Sequence, residues 1–286
     1  MDQVRGEAAR PTASPAGAAG AREASSRPIG VFDSGVGGLT VVAALQRLLP
    51  RESILYLGDT ARLPYGTKSP QTVLAYSKKN VDFLVGRGVK AVVVACNTAS
   101  AVAVGELKPP VPLWGVLGPG AARAAAVSRG KVGVIATEST IDSDAYGREL
   151  RRLRPDVEVV SQPCPLFVPL VEEGWHDDPV AAEVARRYLA PLAARDIDTL
   201  VLGCTHYPLL RRVIAEVMGP GVTLVDSAEA VAEVVAADLL RHQLARDESS
   251  EQAEHHFCVT DAGTRFAKIG ARFLGADALS LEWVDV

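Results

Sequence analysis

No apolar run in this 286-residue sequence approaches the roughly 20 residues that a membrane span requires; the longer runs are broken by glycine or a polar residue after four to six positions. A soluble, cytoplasmic protein is expected. Positive charge is not in excess either. Lysine and arginine number 30 against 34 acidic residues, a formal net charge of −4, so nothing is available to hold a polyanion by counterion release. Nucleic acid is therefore not an expected partner. Cysteine is scarce: Cys96, Cys164, Cys204 and Cys258 lie far apart, with no C-x-x-C pair and no histidine at zinc-ligand spacing. Free thiols are expected, with no metal centre. The first 27 residues lack any aromatic residue and any apolar segment of the kind a signal peptide needs. They are rich in Ala, Gly, Ser and Pro and carry Asp2, Glu7 and Glu23, the composition of a disordered tail that cannot bury enough apolar surface to fold.

What is present from Pro28 onward is alternation. Short β-branched apolar runs at 29–32, 54–57, 91–95, 113–116, 132–136, 157–160, 199–202, 222–225 and 257–259 are separated by longer segments of helical period. Strands that are apolar on both faces, alternating with helices, predict an α/β protein with mainly parallel sheets covered by helices on both sides.

Several of these runs are paired across the chain. IGVFDS at 29–34 resembles VGVIAT at 132–137 at an offset of 103, and ILY at 54–56 resembles VEV at 157–159 at the same offset. AVVVACNT at 91–98 matches TLVLGCTH at 199–206 at an offset of 108. Two similar α/β units follow each other. Open α/β sheets bind ligands beyond the carboxyl ends of their strands, so two facing units would share a cleft, with Cys96 approaching it from one side and Cys204 from the other.

Each of these cysteines ends an apolar strand and precedes a turn into a helix, Asn97-Thr98-Ala99-Ser100 in one case and Thr205-His206-Tyr207-Pro208 in the other. The positive end of a helix dipole lowers a thiol pKa from about 8.5 toward neutrality, so both thiols are expected to serve as bases. One buried cysteine is more often a small hydrophobe, but two in the same setting point to chemistry. Asp33 and Ser34 end the first strand ahead of Gly35-Val36-Gly37-Gly38. This is not the dinucleotide fingerprint, because Thr40 stands at the third glycine position and the acidic residue comes first. Asp33 reads either as a helix cap or as a carboxylate that orients or receives a proton. His206 is the corresponding candidate beside Cys204. Tyr65 and Gly66, in a polar loop after the second strand, suggest a turn whose amides could hold a carboxylate.

The segments GVFDSGVGGLTV (30–41), YLGDTARLPYGTKS (56–69), VVACNTASA (93–101), CPLFVPLVEEG (164–174) and LGCTHYPLL (202–210) resemble those of bacterial glutamate racemases, within the aspartate/glutamate racemase family. The likeness runs in order from Pro28 to the C-terminus, departing at Trp114, where the family more often has an aliphatic residue. The aspartate and hydantoin branches carry other residues after the cysteines. Here Asp33-Ser34-Gly35 and Thr205-His206-Tyr207-Pro208 have the glutamate form.

The resemblance implies two similar flavodoxin-like domains with mainly parallel sheets and an active site in the cleft between them. The expected organisation is a tail at 1–27, a discontinuous first domain at 28–118 plus 228–286, and a second at 119–227. Cys96 and Cys204 are implied as the catalytic thiols, assisted by Asp33, His206 and Glu172, with Glu173 as the other choice for the last. Substrate contacts are implied from Asp33, Ser34, Tyr65, Gly66, Asn97, Thr98, Thr205 and His206. The implied reaction interconverts L-glutamate and D-glutamate without a cofactor, supplying D-glutamate for peptidoglycan. One thiolate removes the α-hydrogen while the opposite thiol protonates the other face; Cys96 with Asp33 acts on D-glutamate, Cys204 with His206 on L-glutamate. No pyridoxal-phosphate lysine motif is present, so oriented donors around the α-carboxylate must stabilise the carbanion. A homodimer is implied as well. Two further readings are a racemase acting on aspartate and an added restraint of DNA gyrase, known for some family members. For the latter, the basic stretch 148–154 reads as a solvated helix face rather than a partner surface. A thiol redox protein is disfavoured by the wide cysteine spacing, and Cys164 and Cys258 read as core thiols.

Overall fold

A computed structural model describes residues 23–247, 252–261, 263–275 and 279–286. The expected tail lies outside the described residues up to residue 22, whereas residues 23–26 form one helical turn. Lys90 Nζ holds that turn by donating to the Ser25 carbonyl at 2.7 Å. The same ammonium is buried in an ion pair with Glu52 and donates to the Leu244 carbonyl at 2.8 Å, so one lysine ties three chain segments together.

All nine expected strands are present: β1 (Ile29–Asp33), β2 (Ile54–Gly58), β3 (Ala91–Val94), β4 (Leu113–Gly115), β5 (Lys131–Ala136), β6 (Glu158–Pro163), β7 (Thr199–Gly203), β8 (Thr223–Asp226) and β9 (His255–Val259). A tenth, β10 (Leu281–Trp283), pairs only with β9 at the sheet edge. Three residues are too few to show a pattern of their own. The strands form a six-stranded sheet, β10-β9-β2-β1-β3-β4, and a four-stranded sheet, β6-β5-β7-β8, parallel throughout.

The order β2-β1-β3-β4 is thus used again as β6-β5-β7-β8. Register refines the repeat. Ile29 lies opposite Ile54 and Ala91, while Val132 lies opposite Val159 and Thr199. The second strands therefore correspond at an offset of 105, not 103. A slip of two residues keeps every side chain on its own face, so the apolar pattern alone could not detect it.

Helices cover both faces of each sheet, as the two-sided apolar strands require. On the first sheet, α1 (Leu39–Leu48), α10 (Ser227–Arg241) and α11 (Thr264–Leu274) share one core, and α2 (Pro70–Gly86) and α3 (Asn97–Ala103) the opposite one. On the second, α4 (Leu117–Val127) and α6 (Ala145–Leu153) pack on one face, and α7 (Phe167–Glu172), α8 (Pro179–Ala193) and α9 (Arg211–Met218) on the other, with the short α5 (Glu138–Asp142) following β5. Side-chain caps with proline in the first turn start two of the long helices, Ser69 with Pro70 at α2 and Asp178 with Pro179 at α8, satisfying amides that a helix start leaves without partners.

Trp114, the departure noted in β4, is buried in the first core and donates its indole N–H to Asp238 on α10 at 2.8 Å. It does not touch the cavity described below. The arginines of 148–154 lie on a solvated face, Arg151 paired with Asp144 and Arg152 with Glu149. Among the described residues no helix is long and apolar enough to cross a membrane.

Candidate active site

The carboxyl ends of β1, β3, β5 and β7 converge on one cavity, where Ser34, Cys96, Thr137 and Cys204, each following its strand, line the wall. Its volume is about 200 Å³, below the roughly 300–1,000 Å³ of sites for drug-sized molecules, and so suited to a small ligand. Tyr65, Gly66, Asn97, Thr98, Thr205, His206 and Glu172 also line it. Asp33 does not; it is fully buried behind the wall, with Oδ2 accepting the Gly35 N–H at 2.9 Å.

Close approach of the two halves shapes this cavity. A Cβ on Gly37 would stand 2.5 Å from His206 Nδ1 and closer still to Thr205 Oγ1, so only glycine fits there. From the same turn Thr40 Oγ1 donates to the Thr205 carbonyl at 3.0 Å. Across the other side Tyr146 donates to Asn97 Oδ1 at 2.7 Å, fixing the first residue of α3. Tyr65 is held from behind by buried Asp59, and Asn80 Nδ2 donates to its hydroxyl at 3.0 Å.

The two thiols sit in unlike surroundings. Cys96 donates to Ser34 Oγ at 3.6 Å, and burial together with the nearby Asp33 charge pushes its pKa up to about 12. This reverses the expected acidification by the helix. The seven-residue α3 cannot offset the loss of water around a thiolate. Beside Cys204 no α-helix starts at once: Tyr207–Leu210 is a 3₁₀ turn, and α9 begins only at Arg211. Its neighbour is instead an imidazole, with His206 Nδ1 3.9 Å from Cys204 Sγ and Nε2 3.2 Å from Glu172 Oε1. Burial alone would lower the His206 pKa, but its hydrogen bonds to Cys204 and Glu172 outweigh it and raise the value to about 10. Both ring nitrogens are then donors. Of the two adjacent acids, Glu172 is the one in contact with His206, whereas Glu173 is paired with Arg265 at 2.9 Å. Asp33 is also raised, by burial, against the opposing charge of His206, and its Oδ1 has no partner among the described residues.

Sequence reasoning missed two threonines. Thr137 lines the cavity, and the hydroxyls of Thr98, Thr137 and buried Thr140 form a closed triangle with sides of 3.0, 3.1 and 3.0 Å. The signal was present: at the offset of 103, Thr137 is the counterpart of Ser34. The helpers break that symmetry, since the counterpart of Asp33 is Ala136 and that of His206, at 108, is Thr98. No lysine or arginine lines the cavity among the described residues, so carboxylates of a ligand would meet hydroxyls, amides and the His206 cation.

The family described as Asp/Glu/Hydantoin racemase matches residues 29–235. The chain belongs to this family. It is 56% identical over 252 residues to the glutamate racemase of Geobacter metallireducens, covering 87% of this chain and 93% of that one. Among solved racemase structures, that of Francisella tularensis glutamate racemase in complex with D-glutamate superposes with a TM-score of 0.85 at 39% identity, covering 91% of this chain and 98% of that chain. The Thermus thermophilus glutamate racemase in complex with beta-chloro-D-alanine gives 0.82 at 47% identity, with coverages of 92% and 98%. The match to the family as a whole ends at residue 235, ahead of α11, whose Phe273 packs edge-on against His206 at 5.9 Å.

Proposed function

We propose that this protein is a glutamate racemase, interconverting L-glutamate and D-glutamate by proton transfer between Cys96 and Cys204. What carries the reading is a pair of thiols on one small cavity, at matched strand ends of two repeated units, in a chain 56% identical to a glutamate racemase. Two bases are what inversion requires, since a lone base would return the proton to the face it left.

Cys96 remains a thiol, its pKa raised to about 12, and so holds the proton to be delivered. Cys204 beside the His206 imidazolium takes the α-proton of L-glutamate, the C–H electron pair passing to the α-carbon and its carboxylate. Cys96 then protonates the opposite face, leaving D-glutamate, a Cys96 thiolate and a Cys204 thiol. The reverse turnover starts from that form, with Asp33 available behind Cys96 to receive or return a proton. Glu172 orients the imidazole, and the hydroxyls of Ser34, Thr98, Thr137 and Thr205 hold the carboxylates beside two thiols that are themselves buried, where fixed donors act strongly.

The expected division into 28–118 plus 228–286 and 119–227 is supported by the separation of the strands into two sheets, and the homodimer belongs to the same reading. The test is chiral analysis after incubation with L-glutamate, D-glutamate or aspartate and no added cofactor. Glutamate should be racemised with kcat/KM at least about tenfold above aspartate, a margin of roughly 1.4 kcal/mol. Preference for aspartate, or dependence on added pyridoxal phosphate, would refute it.

A further inference from the structure

We propose that the face of α11 carrying Arg265, Lys268 and Arg272 is a binding site for a small phosphate-bearing anion, whose occupation retunes the Cys204 side of the active site. These residues follow one another at spacings of three and four, so they share a helix face. They line a second, open cavity of about 440 Å³ together with Glu172, the last residue of α7, and Glu173 just after it. Arg265 spans the two carboxylates, 3.5 Å from Glu172 Oε2 and 2.9 Å from Glu173 Oε1. Lys268 and Arg272 have no hydrogen-bonded or ionic partner among the described residues, and Arg272 packs its guanidinium over Gly174, where any side chain would collide with it. Three cations thus face two carboxylates, and among the described residues two of the cations have no ion-pair partner. Guanidinium forks suit phosphate oxygens, which they engage in pairs, and the Thr264 hydroxyl adds a donor at the helix start.

The site communicates with the chemistry by contact. Glu172 is shared: one oxygen meets Arg265 and the other meets His206. Phe273, on the next turn of α11, touches the His206 ring. An anion drawing Arg265 toward Lys268 and Arg272 loosens its hold on Glu172, strengthens the Glu172 to His206 bond and shifts α11 against the ring.

The probe is pyrophosphate, with citrate at matched ionic strength as the carboxylate control, because exposed charges are screened by salt. Calorimetry should show saturable pyrophosphate binding to the wild type, weakened at least tenfold in Lys268→Ala/Arg272→Ala and measurably in the milder Lys268→Gln and Arg272→Gln, all with unchanged circular dichroism. Pyrophosphate should change the glutamate kinetics of the wild type and not those of the double variant. Because the two enantiomers have equal free energy, kcat/KM must change by one common factor in both directions, while kcat and KM separately need not. Pyrophosphate that binds neither protein, binds both equally or competes with glutamate overturns the proposal, as does citrate binding equally well. The kinetic arm rests on the racemase reading; failure of that reading would appear as no glutamate turnover at any pyrophosphate level, with the calorimetric contrast intact.

Discussion

His206 Nδ1 stands 3.9 Å from Cys204 Sγ, and among the described residues no imidazole stands beside Cys96. The cavity is thus built from a repeat but electrically lopsided, with an imidazolium at one thiol and a buried carboxyl behind the other. The bond from His206 Nε2 to Glu172 helps hold the ring charged, raising its pKa from 6.5 to about 10. Stability from that raised value is complete below pH 6.5 and is lost as pH rises through about 10. Glu172→Gln removes one support, so the alkaline limb of the kcat/KM profile should move to lower pH; Glu173→Gln should leave that limb in place. Equal shifts in both variants, or none in Glu172→Gln, would remove Glu172 from this role.

Gly37 offers a steric test. A methyl group there meets Thr205 and His206, and a displacement of about 1 Å in a catalytic group costs on the order of 10²-fold in rate. Gly37→Ala should therefore lose about 10²-fold in kcat while keeping its thermal transition within a few degrees. Full activity in Gly37→Ala would mean that the turn moves freely.

The threonine triangle predicts a binding defect. Thr137→Val removes a hydroxyl that faces the cavity, and a hydrogen bond to a charged group contributes about 1.5–3 kcal/mol, or roughly 10- to 100-fold in affinity. Steady-state kinetics should place most of that loss in KM. A fall in kcat alone would point to scaffolding instead.

Lys90 and Glu52 make a stability prediction remote from the cavity. Their side chains are 1% and 3% exposed, and deleting one member of such a pair leaves a buried charge uncompensated, at a cost of about 3–5 kcal/mol. Lys90→Met should show that loss in urea unfolding, and Lys90→Met/Glu52→Leu should recover part of it. A single variant as stable as the wild type would contradict the buried pairing.

Much of this was legible in the residues. The nine strands came from apolar runs bounded by polar segments, and the pairing of Cys96 with Cys204 from a repeat that the sheets reproduce. The two-residue register slip in β6 was not, because it leaves inward and outward faces unchanged. Nor was the sign of the Cys96 shift. Helix position is local and can be read, whereas the burial that overrides it depends on Asp33 and Ser34, some sixty residues upstream. Thr140 was hidden for the same reason, since Thr98, which closes the triangle with it and Thr137, meets it only after the two sheets come together. His206 beside Cys204 was visible at a separation of two, but its link to Glu172 rather than Glu173 required the structure.

The central claim is that two thiols act on opposite faces, and the fate of solvent deuterium tests it most directly. L-Glutamate should be incubated with the enzyme in deuterium oxide and both enantiomers isolated at low conversion. Two facing bases predict deuterium at the α-carbon of the D-glutamate formed and protium in the L-glutamate recovered, with the mirror result starting from D-glutamate. Equal labelling of both pools, or retained protium in the product, would show one base serving both faces and would contradict the assignment of Cys96 and Cys204.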